Sequence, residues 1–109
     1  MKEHTLEFLN PEYHFGDNVT VRKGYKWVEK AHEGDVVWIV RTGETNPVAK
    51  GIIKEMNSHQ TIKDCHLEDL WLEHDPECRT PNGLVVAMLR AYPDFTLNDP
   101  VTVIKFTIS

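Results

Sequence analysis

The chain has 109 residues, 40% of them hydrophobic and 27% charged, which is the composition of one globular domain and excludes a disordered chain or two independent cores. A net charge of −5 argues against a protein that coats DNA non-specifically. The longest apolar run, at 36–40, is too short to span a bilayer, so no membrane partner is expected.

In chain order, Met1-Lys2-Glu3-His4-Thr5 has no apolar stretch behind a basic start, so no secretory signal is expected. Asn18-Val19-Thr20-Val21-Arg22 alternates polar and apolar, the period of a half-buried strand, with Gly16-Asp17 and Gly24 as punctuation. Gly34-Asp35 introduces a β-branched and aromatic run at 36–41 that suits a buried strand. A turn at 42–47 leads to a further strand at 48–56, with Gly51 a candidate bulge. Leu67, Leu70, Trp71 and His74 share one face of a helix, capped by Asp64 and stopped at Asp75-Pro76. Thr80-Pro81 reads as an N-cap followed by proline at the first helical position. Leu84, Val85, Met88, Leu89 and Tyr92 form the buried stripe of this second helix. In the closing strand, Thr102, Ile104, Phe106 and Ile108 face one way. The order is strands, two helices and a final strand that pairs with early ones: an α+β fold, a small mixed sheet or β-barrel flanked by two or more helices, with a ligand cleft where helices meet the barrel mouth.

Charge is unevenly placed. The stretch 18–30 holds Arg22, Lys23, Lys26 and Lys30 against Glu29, while 64–77 holds six acids and no Lys or Arg. The basic stretch suits an anionic ligand, although charge runs are most often solvated faces. If Val19 and Val21 face the core, then Asn18, Thr20 and Arg22 face solvent or a cleft, where an arginine forks onto phosphate or carboxylate or stacks on a base. Tyr25 and Trp27 interleave with Lys23 and Lys26, an alternation that suits unpaired bases and their phosphates; the plainer reading packs Trp27 in the core. His59, Cys65, His66, His74 and Cys78 lie close in sequence, but their spacing is irregular for zinc, so no metal is expected. Cys65 and Cys78 are read as reduced thiols in a cytoplasm. Walker, GxGxxG and GxSxG motifs are absent.

The Thr20-Val21-Arg22 strand resembles the opening of an ASCH domain, a branch of the PUA-like superfamily. So do Gly34-Asp35-Val36-Val37, Gly51-Ile52-Ile53-Lys54, the segment with Glu73, Ala91-Tyr92-Pro93, and the ending at 99–106. The resemblance implies a single ASCH/PUA-like domain over 1–109 that binds RNA or a nucleotide in a cleft between barrel and helices, in RNA metabolism or translation-related regulation, with no cofactor. Thr20, Arg22, Lys23, Tyr25, Lys26 and Trp27 are then the expected RNA or ligand contacts. One bacterial branch removes the acetyl group from 4-acetylcytidine with a lysine, a threonine and a glutamate, which makes a hydrolase acting on a modified nucleoside or on RNA the alternative. Thr20 and Glu73 would be its catalytic residues, with Asp75 or Glu77 as other alignments of the glutamate, but the lysine position holds Asp17. Lys23 or Lys26 would have to reach the cleft in its place. A protein–protein adaptor using the acidic stretch 64–77 ranks third.

Overall fold

The computed structural model describes residues 2–8, 13–65, 67–73 and 76–108. Five strands form one mixed sheet: β1 (Glu3–Phe8), β2 (Gly16–Lys23), β3 (Val36–Arg41), β4 (Ala49–His59) and β5 (Val101–Ile108), in the order β1-β3-β4-β5-β2. β1 runs parallel to β3, and the other neighbours are antiparallel. The helices are α1 (Lys26–Lys30), α2 (Leu67–Leu70) and α3 (Pro81–Ala91), with two short 3-10 turns at Ile62–Asp64 and Pro76–Cys78.

Each face of the sheet carries a core cluster. On one, Leu6, Phe8, Val37, Ile39, Ile53, Ile104, Phe106 and Ile108 pack with Ala31. On the other, Val19, Val21, Val101 and Val103 meet Ile62, Leu70, Cys78, Leu84, Met88 and Phe95. β5 contributes to both clusters, which explains its near-continuous burial and its central place between β4 and β2. The expected barrel is not closed: β1 and β2 are the two edges of the sheet. The sheet curls far enough that the Phe8 ring on one edge lies 4.7 Å from the Arg22 guanidinium carbon on the other.

Several expected elements take a different form. β1 has the right alternation, with Leu6 and Phe8 buried between exposed Thr5 and Glu7, but was not anticipated. Tyr25 is the N-cap of the short helix α1 and Trp27 lies within it, the helix being entered through Gly24 at φ 81, a conformation that favours glycine. The helix expected to run to His74 ends at Leu70, and Asp64 closes a 3-10 turn rather than capping it. Four residues supply too few backbone hydrogen bonds to hold a helix alone, and Leu72-Glu73 instead gain a partner in β2. His74, Asp75 and His66 lie outside the described residues. The second helix agrees with expectation: the Thr80 side chain accepts a hydrogen bond from Gly83 N at 3.1 Å, Pro81 opens the first turn, and Leu84 and Met88 are buried.

Gly51 is not the bulge. The register shift in β4 falls between Ile53 and Glu55. Gly51 serves close packing, because a Cβ there would meet the Phe106 ring and the Thr107 carbonyl oxygen at 3.2 Å and Val37 Cγ2 at 3.3 Å. Backbone in a central strand cannot retreat, so Gly51→Ala is expected to destabilise the fold by roughly 1–3 kcal/mol in denaturant unfolding. An unchanged midpoint would show that the strands have slack.

Asp35 ties the sheet to its edge strand. Its carboxylate accepts from Lys2 N at 3.2 Å and His32 N at 3.0 Å and meets His4 Nε2 at 2.8 Å. The hydrogen bond with His4, then that from Lys2, hold its pKa down to about 2, below its ordinary 3.8. A depressed carboxylate stabilises the fold above its ordinary pKa, and that contribution disappears as pH falls from about 4 to about 2. Asp35→Asn is therefore expected to flatten this part of the acid limb in thermal melts taken against pH; an acid limb identical to wild type would contradict the assignment.

Candidate functional site

Strand alternation turns Asn18, Thr20 and Arg22 to the face of β2 that carries Ile104 and Phe106 on β5, since Thr20 pairs with Ile104 and Asn18 with Phe106. Asn18 is buried and locked: its side-chain oxygen accepts from His14 N at 3.1 Å, and its amide donates to Gly16 O at 3.2 Å. Thr20 is buried beside it, 2% exposed. Arg22 follows, at the end of the seam between β1 and β2.

Arg22 is half-buried as a residue, but its Nε and Nη2 are covered and have no hydrogen-bond partner among the described residues. Burial pushes the guanidinium pKa below its ordinary value; Tyr92, through charge and a hydrogen bond, and the Glu73 carboxylate act in the opposite direction. Phe8 supplies a cation–π contact. Unpartnered buried donors are rare in native proteins and call for an explanation, and a ligand's acceptors are one.

Glu73 reaches this region from the segment after α2. Val19 N donates to Leu72 O at 2.7 Å, and Glu73 forms a parallel bridge with Val19. Its carbonyl oxygen accepts from Arg79 Nε at 3.1 Å, and the residue is 1% exposed. The segment thus borders β2 from outside and brings a buried acid into the field of Arg22. The acidic stretch is not a uniform surface either, because Asp69 lies 3.6 Å from Lys105 Nζ and Glu73 is buried.

The expected residues therefore separate into two groups. Arg22 meets Phe8 and Tyr92 and lies in the field of Glu73, and Thr20 shares its strand face. Lys23, Tyr25, Lys26 and Trp27 lie at or beyond the end of β2. Lys23 alternates to the other face and approaches Asp99 at 3.9 Å. Tyr25 and Lys26 are exposed. Trp27 packs against the core, with Lys30 Nζ 4.1 Å from its ring centroid and His4 at its edge. Asp17 lies on the sheet face opposite Thr20. It is held by Lys54 at 3.1 Å and accepts from Thr107 Oγ1 at 2.8 Å, contacts that lower its pKa. It offers no base beside the Thr20 hydroxyl.

Phe8 and Tyr92 were not anticipated as site residues. The alternation in β1 signals that Phe8 points inward, but nothing local says which strand it meets. Tyr92 reads as the last member of a helical stripe. Elsewhere, Thr5, Glu7, Trp38, Val40, Glu44, Thr45 and Pro47 line an open groove of about 430 Å³ on the other face of β1 and β3, where two glutamates disfavour an anion. Among the described residues no group of three or more His, Cys, Asp or Glu is placed to hold a metal ion. Burial, with Asp69 and Asp64 nearby, pushes the Cys65 thiol up to about 11 and keeps it protonated at neutral pH.

A guanidinium stripped of water without full pairing costs stability. Arg22→Met combined with Glu73→Gln is therefore expected to leave the melting temperature at or above wild type. A marked fall in the melting temperature would show that the seam charges hold the fold together and are not kept for a ligand.

No protein-family model matches the chain, and no curated protein matches it in sequence. Among solved structures it is similar to an ASCH domain from Lactobacillus crispatus JV V101, with a TM-score of 0.68 over 98% of this chain and 79% of that one, at 8% sequence identity. At that identity the likeness concerns the fold, and it agrees with the five-stranded mixed sheet, the flanking helices and the resemblance drawn from the sequence. The chain has an ASCH-like fold.

Proposed function

We propose that this protein binds RNA, or a nucleotide-sized piece of it, at the seam between β1 and β2. The observation that carries the reading is Arg22, with two covered, unpartnered donors beside Thr20, Glu73 and Tyr92. Such donors gain more from a ligand's acceptors than donors already paired with protein or water. Thr20 offers a hydroxyl. Exposed Lys26 would serve as a phosphate contact and exposed Tyr25 as a face for a base to stack on, while Lys23, on the other face beside Asp99, would have to leave that partner to join them. Trp27, already covered on one face by Lys30, supports α1 from beneath. The setting we propose is cytoplasmic RNA metabolism or translation-related regulation; among the described residues no helix is long and apolar enough to cross a membrane.

Fluorescence anisotropy with a short single-stranded RNA tests this reading. Arg22→Ala is expected to weaken binding by roughly 1.5–3 kcal/mol, the range for hydrogen bonds to charged groups. Lys26→Ala is expected to lower affinity modestly and reduce the salt slope by about one. Affinity unchanged by Arg22→Ala would remove the site.

A second reading, hydrolysis of a modified nucleoside such as 4-acetylcytidine, draws on the burial of Thr20 and Glu73 at the same seam. Glu73 would serve as general acid or base and Thr20 as nucleophile or its support. Asp17, engaged on the opposite face, weighs against it. If the reading holds, wild type releases acetate and both Thr20→Ala and Glu73→Gln abolish the release. Turnover surviving both substitutions would exclude these roles.

A further inference from the structure

The open groove beside Trp38 has a chemistry of its own. Thr5 pairs with Trp38 and Glu7 with Val40, and alternation turns these four side chains away from the core side of Leu6, Phe8, Val37 and Ile39. The core cluster on that outer face draws none of its buried residues from β1 or β3, and the groove of about 430 Å³ forms at this end. Its lining combines the Trp38 ring with the carboxylates of Glu7 and Glu44 and includes no lysine, arginine or histidine. Trp38 is half-buried, while Glu7 and Glu44 are exposed. The indole is fixed in place, since its Nε1 donates to Glu3 Oε1 at 3.1 Å. The ring already takes an ammonium from its own chain: Lys50 Nζ lies 5.4 Å from its centroid. Arg41, 3.7 Å from Glu44, is the other cation at the rim.

We infer that this groove seats a lysine side chain from a basic segment of a partner protein. The ammonium meets Glu7, Glu44 and the Trp38 ring, whose quadrupole attracts a cation in the same sense as the two carboxylates. Val40 and Pro47 cover the methylenes behind the charge. An open groove does not enclose a free small molecule, which binds by burying most of its surface. A side chain carried by a larger partner is held by that partner's remaining contacts as well. The net charge of −5 steers a basic segment toward the molecule. Lys50 competes with the incoming lysine for the ring. The site is separate from the one proposed for RNA, because two glutamates disfavour an anion here.

The test titrates the full chain with end-blocked tetralysine and follows the Trp38 indole Nε–H by proton–nitrogen NMR. A salt-sensitive shift at Trp38, accompanied by the amides of Glu7 and Thr45, is expected. Glu44→Gln, an exposed substitution, is expected to weaken binding about 1.5- to 5-fold, the worth of one exposed ion pair. Lys50→Gln is expected to tighten binding by about twofold or more, because it removes a competing cation from the ring. A gain of affinity is not a symptom of misfolding. Trp38 unmoved by tetralysine, or Lys50→Gln with unchanged or weaker binding, would overturn the site. Spermidine bound as tightly as tetralysine would overturn the peptide-borne lysine in favour of a free polyamine. Shifts centred on Asp64, Glu68 and Asp69, with Trp38 still, would overturn the groove in favour of the acidic stretch as the contact surface.

Discussion

The contact of Phe8 with Arg22 across an open seam is the constraint around which the molecule is organised. A five-stranded sheet with two edges exposes two rows of backbone groups unless it curls or is covered. Here it curls. β5 lies between β4 and β2 and contributes to the cores on both faces, so the strand that ends the chain holds the early strands in register. The edges meet through a ring and a guanidinium instead of a ladder. The segment after α2 then borders the outer side of β2 through Leu72 and Glu73.

This arrangement places chemistry where the sheet is least committed. Within the ladder, backbone groups satisfy one another and leave nothing for a ligand. At the seam, a guanidinium with donors unpartnered among the described residues lies under the Phe8 ring, in the field of a buried acid and on the strand face of a buried hydroxyl. A buried positive charge beside a buried negative one contributes little net stability, since desolvation offsets attraction. We propose that they serve a ligand rather than stability. The same balance disfavours a site built only for phosphate, because Glu73 opposes a second negative charge at close range. Exposed Lys26, beyond the end of β2, is better placed for that task.

Much of the fold was legible in the sequence because period and punctuation agree where the chain is strongly patterned. Val19 and Val21, the run at 36–41, and the alternation from Thr102 to Ile108 all became strands, and Thr80-Pro81 opened a helix. Failures came where tertiary pairing overrides local preference. Glu73 sits in a helical pattern, but a bridge to Val19 draws it into extended backbone. Gly51 resembles a bulge and instead answers to the closeness of Phe106 and Thr107, residues far along the chain. The grouping of Thr20 with Arg22 could be read from alternation alone. The cover provided by Phe8 could not, because it depends on how far the sheet curls. Lys23 and Trp27 show the converse: neighbours of Arg22 in sequence, they turn to Asp99 and to the core.

The most direct test of the account is a proton–nitrogen NMR titration with a short single-stranded RNA, observing backbone amides together with the Arg22 Nε–H. The account predicts salt-sensitive shifts centred on Thr20, Arg22, Glu73 and Tyr92, with a large change at the Arg22 side chain as its free donors find acceptors. Shifts confined to the groove beside Trp38 and Glu44, with Arg22 and its neighbours unmoved, would contradict it.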